Sequence, residues 1–242
     1  MSLSKNQLKL ITSLRKKKYR VTSNLFIAEG IKVVNEFLES DFELERLFCV
    51  DASHFKNCEN VTLISEADLK KASSLSTPNN VIAIFKIPVT NFIENEGLVL
   101  ALDEVNDPGN LGTIIRLCDW FGIDQLICSK DTVDCYNAKV VQASMGSLTR
   151  VAVFYTDLKV YLKSTKKAKY ATLMDGENVY KTTLPKEAVL VMGNEANGIS
   201  TPILNLLDNA ISIPRFGNLQ QTESLNVATA TAILLSEFKR TN

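Results

Sequence analysis

Residues 211–227 read Ile211-Ser212-Ile213-Pro214-Arg215-Phe216-Gly217-Asn218-Leu219-Gln220-Gln221-Thr222-Glu223-Ser224-Leu225-Asn226-Val227. A short β-branched strand ends at Pro214, the chain turns at Gly217, and a polar loop leads into a helix that continues to about Phe238. Two to six residues normally connect a strand to a helix, whereas residues 214–224 number eleven. An ordinary connection is the alternative, but the extra length favours a binding loop, because open α/β folds hold ligands where strands end.

The composition is that of an ordinary globular protein. Of 242 residues, 45% are hydrophobic and 22% are charged, and the formal net charge at pH 7 is +0, which suits one or two domains with a full core. No apolar run approaches the roughly 20 residues of a membrane span, and the N-terminus lacks the apolar region of a signal peptide. These features predict a cytoplasmic location.

The cysteine and histidine content argues against several kinds of site. The five cysteines are odd in number and form no C-x-x-C pair, so we predict reduced, mostly packing thiols rather than disulfides or a zinc site. The single histidine, His54, lies in a polar stretch and is interpreted as a surface or turn residue. Ser-His-Asp catalysis and two-histidine metal sites are therefore not predicted, and no metal ligand is assigned.

Residues 1–90 are predicted to form a small α/β domain, followed by a linker over residues 91–97. The first helix is predicted over residues 5–20, and the first twenty residues contain seven basic side chains and no acidic one. Two interpretations of this basic run are equally good: a helix face that is exposed to solvent, or a surface that contacts RNA phosphates. The candidate RNA-binding residues are Arg15, Lys16, Lys17, Lys18 and Arg20.

Residues 98–242 are predicted to form a second α/β domain, in which alternating strands and helices indicate a mainly parallel sheet. Three strands end at Asp103, Met192 and Ile213, and each leads into a loop that contains asparagine and glycine. If these strands are neighbours, their loops form one crevice at the carboxyl edge of the sheet. The domain has no G-x-G-x-x-G or P-loop motif, so an ordinary dinucleotide or nucleoside triphosphate site is not predicted.

The first of these loops contains the turn Asp107-Pro108-Gly109-Asn110, and the next helix is predicted over residues 113–121. Arg116 stands in this helix among apolar residues such as Ile115 and Leu117. An arginine in apolar surroundings needs an anionic partner, which either the protein or a ligand can supply.

Three motifs stand out in the second domain: Asp107-Pro108-Gly109-Asn110-Leu111-Gly112 with Arg116, Gly193-Asn194-Glu195-Ala196-Asn197-Gly198, and Ile213-Pro214 followed by Glu223-Ser224-Leu225-Asn226-Val227. In order, spacing and placement after strands, they resemble the motifs of the SpoU/TrmH family of RNA ribose methyltransferases, within the SPOUT superfamily. The resemblance covers roughly residues 97–240. Phe26-Ile27-Ala28-Glu29-Gly30, ahead of a helix, is similar to part of the substrate-binding domain often attached to this family, which itself resembles RNA-binding ribosomal proteins.

The resemblance implies an α/β domain with a C-terminal trefoil knot, a homodimer, and S-adenosylmethionine bound by the knot loops. The residues expected to hold this cofactor are Met192, Gly193, Ile213, Pro214, Gly217 and Leu225. The residues expected around the transfer centre are Asn110, Arg116, Glu195, Ser224 and Asn226. Because a guanidinium is a poor base, we expect Arg116 to hold an RNA phosphate that polarises or receives the proton of the ribose 2′-hydroxyl.

The chain departs from the family pattern in three places. Ala196 replaces a common glycine, Arg215 replaces a common methionine, and the loop over residues 217–223 is longer than usual. We expect an RNA 2′-O-methyltransferase, and we prefer ribosomal RNA to transfer RNA because the N-terminal domain resembles that of relatives that modify ribosomal RNA. The alternatives are a transfer RNA methyltransferase, a non-catalytic RNA-binding or ribosome-assembly factor of the same fold, and a nucleotide-binding hydrolase.

Overall fold

The computed structural model describes residues 2–56, 58–90, 96–217 and 224–240. In chain order, its strands are β1 (Leu25–Glu29), β2 (Leu44–Cys49), β3 (Val61–Leu63), β4 (Val81–Lys86), β5 (Leu98–Leu102), β6 (Gln125–Ser129), β7 (Ala152–Thr156), β8 (Ala168–Asn178), β9 (Ala188–Met192) and β10 (Asn209–Ser212). Its α-helices are α1 (Lys5–Ser13), α2 (Lys17–Ser23), α3 (Ile31–Leu38), α4 (Glu66–Ala72), α5 (Pro108–Trp120), α6 (Ala138–Ser144), α7 (Leu158–Ser164), α8 (Thr201–Leu204) and α9 (Val227–Arg240). Within the described ranges, no helix has both the length and the apolar content needed to span a bilayer.

The chain divides into two compact units. The first comprises Met1–Val89 and Asp134–Thr149, and the second comprises Thr90–Val133 and Arg150–Asn242. The segment Asp134–Thr149 therefore groups with the first unit, although its place in the sequence put it inside the predicted second domain. The predicted linker over residues 91–97 lies mostly outside the described residues, and the predicted domain boundaries stay predictions.

A four-stranded sheet forms the centre of the first unit, in the order β1-β4-β2-β3. Strand β4 pairs antiparallel with β1 and β2, and β3 pairs parallel with β2. Strands β1 and β4 are short apolar runs and are almost entirely buried. Helix α3 buries Val33, Val34 and Phe37 on one face, and the Phe37 ring lies edge-on to the Phe26 ring of β1, with centroids 5.2 Å apart.

The segment Asp134–Thr149 joins this unit through packing that sequence spacing does not reveal. Helix α6 contacts β1, and the ring of Tyr136 lies 4.8 Å from the ring of Phe26, centroid to centroid. The burial of Tyr136 raises the pKa of its hydroxyl group, which therefore stays protonated at neutral pH. The segment thus contributes to the aromatic core of the first unit.

The N-terminal basic stretch forms two helices, whereas one helix was predicted over residues 5–20. Helix α1 ends at Ser13 and α2 begins at Lys17. Lys16 between them has an extended backbone, with φ −100° and ψ 130°. The Arg15 guanidinium donates at 2.8 and 2.9 Å to two carbonyl oxygens at the end of α4, which favours a turn of the chain here. Long-range bonds of this kind are not visible in a helical periodicity, and the prediction of a continuous helix was wrong for that reason.

Arg20 is enclosed in the first unit. Its side chain is 2% exposed, donates to the carbonyl oxygen of Leu14 at 2.8 Å and pairs with the carboxylate of Asp134 at 2.5 Å. A buried guanidinium requires such partners. The prediction of Arg20 as an RNA-binding residue was therefore wrong, because its charge is neutralised inside the fold. The rest of the basic run is exposed and its assignment stays a prediction: Arg15, Lys16, Lys17 and Lys18.

The second unit contains a six-stranded sheet in the order β10-β8-β9-β5-β6-β7. All of its pairs are parallel, which confirms the predicted sheet type. The central strands β5 and β9 are buried throughout, as parallel strands covered on both faces are. On one face, Ala101 and Val191 pack with Leu162 of α7 and Ile203 of α8, while α5 packs against β6 and α9. Burial raises the pKa of the Cys118 thiol of α5, so this cysteine is an unreactive packing group, as predicted.

Helix α5 begins five residues before the predicted start at residue 113. Asp107 is its N-cap, and the Asp107 carboxylate accepts a hydrogen bond from the backbone N–H of Asn110 at 2.8 Å. Pro108 occupies the first turn. Proline is tolerated there because the backbone N–H groups of the first turn have no partner within the helix, so the missing N–H costs no hydrogen bond. The sequence Asp107-Pro108-Gly109-Asn110 was predicted as a turn, but it is the start of the helix. Asn110 therefore projects from the first turn of α5.

Candidate active site

A break in the pairing of β10 with β8 opens a cavity in the second unit. Ala210 pairs with Ala171, but the next residue, Ile211, pairs with Glu177, so residues 172–176 bulge out of the ladder. The bulge forms part of the wall of a cavity of about 1230 Å³. Sites for one small ligand typically measure roughly 300–1,000 Å³. The cavity therefore has room for a cofactor together with part of a substrate.

The rest of the cavity wall comes from the ends of β9 and β10 and the start of α9. It comprises Met192, Gly193, Asn194, Glu195, Ala196, Gly198 and Ile199, then Ile211, Ile213, Pro214, Arg215, Phe216 and Gly217, then Ser224, Leu225, Asn226, Val227, Ala230 and Leu234. The crevice expected at the carboxyl edge of the sheet is present. The three strands that lead into the motif loops were expected to be neighbours, and only two of them are. Strand β5 adjoins β9, whereas β8 separates β9 from β10.

Three cavity residues on β8 were missed by the sequence analysis: Thr172, Leu173 and Met174. The analysis looked for loops with asparagine and glycine after strands, and these residues lie within a strand. Gly176 was the only signal in this strand, since a Cβ there would lie 2.6 Å from the backbone of Ile211. A glycine inside a strand marks a bulge or a close backbone approach.

The loop after β9 is closed by two backbone hydrogen bonds. The N–H of Asn194 donates to the carbonyl of Gly198, and the N–H of Gly198 donates to the carbonyl of Asn194, both at 2.9 Å. Gly193 lies against this closure, because a Cβ on it would be 2.3 Å from backbone atoms of Gly198 and Ile199. The loop therefore requires glycine at this position, and it presents Glu195 within a defined turn.

Two side chains that were not predicted as site residues anchor this loop. The side-chain oxygen of Asn194 accepts hydrogen bonds from the backbone N–H groups of Ala196 at 2.9 Å and Asn197 at 3.1 Å. Its amide nitrogen donates to the carbonyl of Glu104 at 2.7 Å. Asp103, which is 3% exposed, accepts a bond from the backbone N–H of Ser200 at 2.8 Å. Asn194 belongs to the second motif and Asp103 directly follows β5, so the motif and the strand end were the available signals.

Three predicted transfer-centre residues meet in one chain of hydrogen bonds. The amide nitrogen of Asn226 donates to the side-chain oxygen of Asn110 at 2.8 Å. The amide nitrogen of Asn110 donates to Oε1 of Glu195 at 2.9 Å. Ser224 and Leu225 line the cavity next to Asn226 in the sequence. The arrangement joins α5, the loop after β9 and the start of α9 at one place.

Arg116 lies on an exposed face of α5, whereas apolar surroundings were expected. Thr113, Arg116 and Trp120 follow helical spacing and are all exposed, and Trp120 is 84% exposed. The apolar sequence neighbours Ile114 and Ile115 face the core instead. Within the part of the chain that the structure describes, Arg116 forms no ion pair. Its charge is therefore available to an anionic ligand.

The cavity combines exposed apolar surfaces with polar groups. Phe216 is 81% exposed, Met174 is 53% exposed and Leu225 is 47% exposed, and all three line the cavity together with Glu195 and Arg215. Such a lining suits a ligand that has both a flat ring and a charged end. Among the residues that the structure describes, three or more His, Cys, Asp or Glu side chains do not come together as a metal-binding cluster. The polar loop over residues 218–223 lies outside the described residues.

These features define a class of protein: a parallel α/β domain with a ligand cavity at the carboxyl edge of its sheet, joined to a small α/β unit. The SpoU rRNA Methylase family model matches residues 97–236. A second model, the MRM3-like substrate binding domain, matches residues 5–83. The chain belongs to the SpoU rRNA methylase family, which confirms the resemblance seen in its motifs.

Known proteins are similar over nearly the whole chain. A protein of Bacillus subtilis named 23S rRNA (guanosine(2553)-2′-O)-methyltransferase RlmP is 31% identical, with 93% of each chain aligned. A protein of Porphyromonas gingivalis described as a possible member of the TrmH family of RNA methyltransferases is 37% identical, with a TM-score of 0.90 and 100% of each chain covered. An AdoMet-bound rRNA methyltransferase from Sinorhizobium meliloti is 28% identical, with a TM-score of 0.87 and coverage of 99% of this chain and 96% of that chain.

Proposed function

We propose that this protein transfers a methyl group from S-adenosylmethionine to a ribose 2′-hydroxyl of ribosomal RNA. The observation that carries the proposal is the meeting of the three motif segments in one hydrogen-bonded group, two members of which, Glu195 and Asn226, line the cavity. Asn110 contacts Glu195 across 85 residues of sequence and Asn226 across 116. Loops that converge from such distances on one large cavity are expected of a binding site and not of ordinary connections.

The cavity fits S-adenosylmethionine, whose sulfonium supplies an already activated methyl group. The exposed surfaces of Phe216, Met174 and Leu225 offer apolar contacts to an adenine ring. The tight loop at Gly193 allows the backbone to approach a ligand closely. The residues proposed to hold the cofactor all line the cavity: Met192, Gly193, Ile213, Pro214, Gly217 and Leu225. This placement supports the assignment made from the sequence.

Alignment of the ribose is the main catalytic task of the protein itself. Holding two reacting groups in position can supply roughly 7–11 kcal/mol of the barrier reduction. We assign Arg116 to an RNA phosphate, because it is exposed and its planar guanidinium suits a phosphate. Ser224 lines the cavity and is proposed to contact the ribose or its neighbours.

The relatives support ribosomal RNA over transfer RNA. The Bacillus subtilis relative is named for 23S rRNA and aligns with 93% of this chain. A relative from Neisseria meningitidis, named 23S rRNA (guanosine-2′-O-)-methyltransferase RlmB, is 35% identical over 148 residues. A non-catalytic factor of the same fold is the second candidate, but the intact hydrogen-bonded group at Asn110, Glu195 and Asn226 argues against it.

RNA recognition is assigned to the first unit. Its match to a substrate-binding domain and the exposed basic residues at the start of α2 support this role. Lys16, Lys17 and Lys18 are proposed to contact phosphates, which would make binding weaken with rising salt. Arg20 is excluded from this group by its burial. The cytoplasmic location stays a prediction that suits an enzyme of RNA modification.

We further propose that the protein is a homodimer and that its C-terminal segment forms the trefoil knot of the family. Two features support these proposals. The first feature supports the knot and concerns the path of the chain. Strand β10 lies at the edge of the sheet, but the helix that follows it, α9, packs on α5 and not at that edge. In addition, α5 exposes 84% of Trp120, which is a large apolar surface for a monomer to leave in water.

The substitution Trp120→Glu is expected to convert the dimer largely to monomer. A buried aromatic side chain at an interface commonly contributes at least about 2 kcal/mol, or roughly a 30-fold change in the dissociation constant. Sedimentation equilibrium of both proteins measures this change. Val160→Glu on α7 is the matched control, since Val160 is also exposed, at 63%, and lies on another helix. A monomeric wild type, or an unchanged Trp120→Glu dimer, would contradict the assignment.

The proposed function is tested by methyl transfer from radiolabelled S-adenosylmethionine to unmodified ribosomal and transfer RNA, followed by alkaline hydrolysis. We expect label in alkali-resistant dinucleotides from ribosomal RNA, because a 2′-O-methyl group blocks cleavage at that nucleotide. Label in mononucleotides would show base methylation and refute the proposal. Label mainly in transfer RNA would correct the substrate class. Absence of cofactor binding in calorimetry would favour the non-catalytic factor.

A further inference from the structure

Two of the described residues that line the cavity have a charged side chain, Glu195 and Arg215. Glu195 belongs to the hydrogen-bonded group with Asn110, whereas Arg215 supplies the positive charge of the described cavity wall. Arg215 stands where methionine is common in the family. Because a charged side chain replaces an apolar one, Arg215 indicates a binding property of this chain that the family pattern does not include.

The backbone that leads to Arg215 is held in place. Ser212, the last residue of β10, is 8% exposed, and its hydroxyl donates to the carbonyl oxygen of Gly176 at 2.7 Å. Gly176 lies against the backbone of Ile211, because a Cβ on it would be 2.6 Å away. Pro214, directly before Arg215, has its φ fixed at about −65° by its ring. Arg215 therefore extends from a defined point on the cavity wall, where β10 ends against the bulge of β8.

Arg215 lies within the segment that is proposed to hold the cofactor. Pro214 precedes it, Gly217 follows two residues later, and all three line the cavity. The Arg215 side chain is exposed, so its guanidinium can meet a ligand. It also takes part in an interaction within the protein. A guanidinium has five N–H donors, so one such contact leaves donors for a ligand.

S-adenosylmethionine has one group that matches this cation, the carboxylate of its amino-acid end. A guanidinium binds a carboxylate through two parallel charge-assisted hydrogen bonds. We propose that Arg215 binds the carboxylate of S-adenosylmethionine and makes the protein selective for a cofactor with an intact amino-acid end. This inference rests on the proposed function and adds to it a residue that determines specificity.

Electrostatics favours the cofactor carboxylate over an RNA phosphate as the partner of Arg215. The other charge of the described cavity wall is the carboxylate of Glu195, which repels a second carboxylate unless a cation is near. Arg116, which is assigned to an RNA phosphate, is exposed on α5 and is not among the described residues of the cavity wall. The two arginines therefore serve different anions.

Calorimetric titration with two ligands tests the inference. The ligands are S-adenosylmethionine and its decarboxylated form, which differ only in the carboxylate. Arg215→Met introduces the residue that is common in the family, and Arg215→Lys keeps the charge but loses the planar fork. Arg240→Met is the matched control, since Arg240 is an exposed arginine at the end of α9 and is not among the described residues of the cavity wall.

We expect the wild type to bind S-adenosylmethionine at least about tenfold more tightly than the decarboxylated form, because a hydrogen bond to a charged group contributes about that much to affinity. In Arg215→Met, affinity for S-adenosylmethionine should fall by about tenfold, while affinity for the decarboxylated form should not fall. Arg215→Lys should lie between the wild type and Arg215→Met. Arg240→Met should keep both affinities within about twofold of wild type, and all variants should keep the melting temperature of the wild type.

Two outcomes would overturn this inference alone. Equal loss of affinity for both ligands in Arg215→Met would show that Arg215 shapes the cavity without contact with the carboxylate. Unchanged affinity for both ligands would exclude a contact with the cofactor. If RNA binding by Arg215→Met then became weaker and less dependent on salt, Arg215 would be a phosphate contact. A wild type that binds neither ligand would overturn the proposed function as well.

Discussion

Arg20→Met is expected to destabilise the first unit by about 3–5 kcal/mol, the usual cost of removing one partner of a buried ion pair. Arg20 is 2% exposed and Asp134 is 14% exposed at its side chain, so the Asp134 carboxylate would lose its charge partner while largely out of water. Hydrogen exchange of the amides of β1 and β4, read by mass spectrometry, measures the change within this unit. The single tryptophan lies at position 120 in the other unit and would not report on it.

Lys18→Met is the matched control for this prediction. Lys18 lies in the same short helix α2 as Arg20 but is exposed, so its replacement should change stability by no more than about 0.5 kcal/mol. It should instead weaken RNA binding and reduce the dependence of that binding on salt. If Arg20→Met lowered the free energy of unfolding of the first unit by less than about 1 kcal/mol, the ion pair with Asp134 would not be important for its stability. Loss of RNA affinity in Arg20→Met with unchanged stability would restore Arg20 as an RNA contact.

Gly193→Ala is expected to weaken S-adenosylmethionine binding by about 10- to 100-fold. The added Cβ would lie 2.3 Å from the backbone of Gly198 and Ile199, so the loop after β9 would have to open. Overpacking of this kind typically costs about 1–3 kcal/mol, and each 1.4 kcal/mol is about tenfold in affinity. Calorimetric titration with S-adenosylmethionine measures the loss. Because the same loop carries Glu195, kcat should fall together with affinity.

Gly217→Ala is the control, since Gly217 lines the same cavity and, among the residues that the structure describes, no heavy atom lies within 4 Å of a Cβ placed there. Its cofactor affinity should stay within about twofold of wild type, because the added methyl group meets none of the described residues. Equal losses in the two variants would mean that the cavity does not depend on the closed loop at Gly193. Unchanged affinity in Gly193→Ala would place the cofactor elsewhere.

Local sequence patterns determined much of the second unit. The apolar runs of β5 and β9 and their alternation with helices predicted a parallel sheet, because strands buried on both faces must be apolar throughout. The turn-forming motifs after β9 and β10 predicted the residues of the cavity loops, because loops at this edge need glycine and asparagine to turn and to approach a ligand. Most of the predicted cofactor and transfer-centre residues therefore lie in or beside one cavity.

Contacts between distant residues were decided by the tertiary structure alone. The sequence could not show that Arg20 finds Asp134 across 114 positions, nor that Asp134–Thr149 packs into the first unit. A basic run has the same composition whether its charges face water or a buried carboxylate, and only the packing distinguishes the two. The break of the first helix after Ser13 has the same origin.

The same division holds within the site. The sequence by itself determined the family and predicted which side chains surround the transfer centre, because motif residues and their spacing are local properties. The tertiary structure decided that β8 bulges to form a cavity wall and that the amides of Asn226 and Asn110 point toward Glu195. Hydrogen-bond direction depends on which donors and acceptors meet across the fold, and strand register depends on pairing between separate segments. Neither property is encoded in the spacing of residues along one segment.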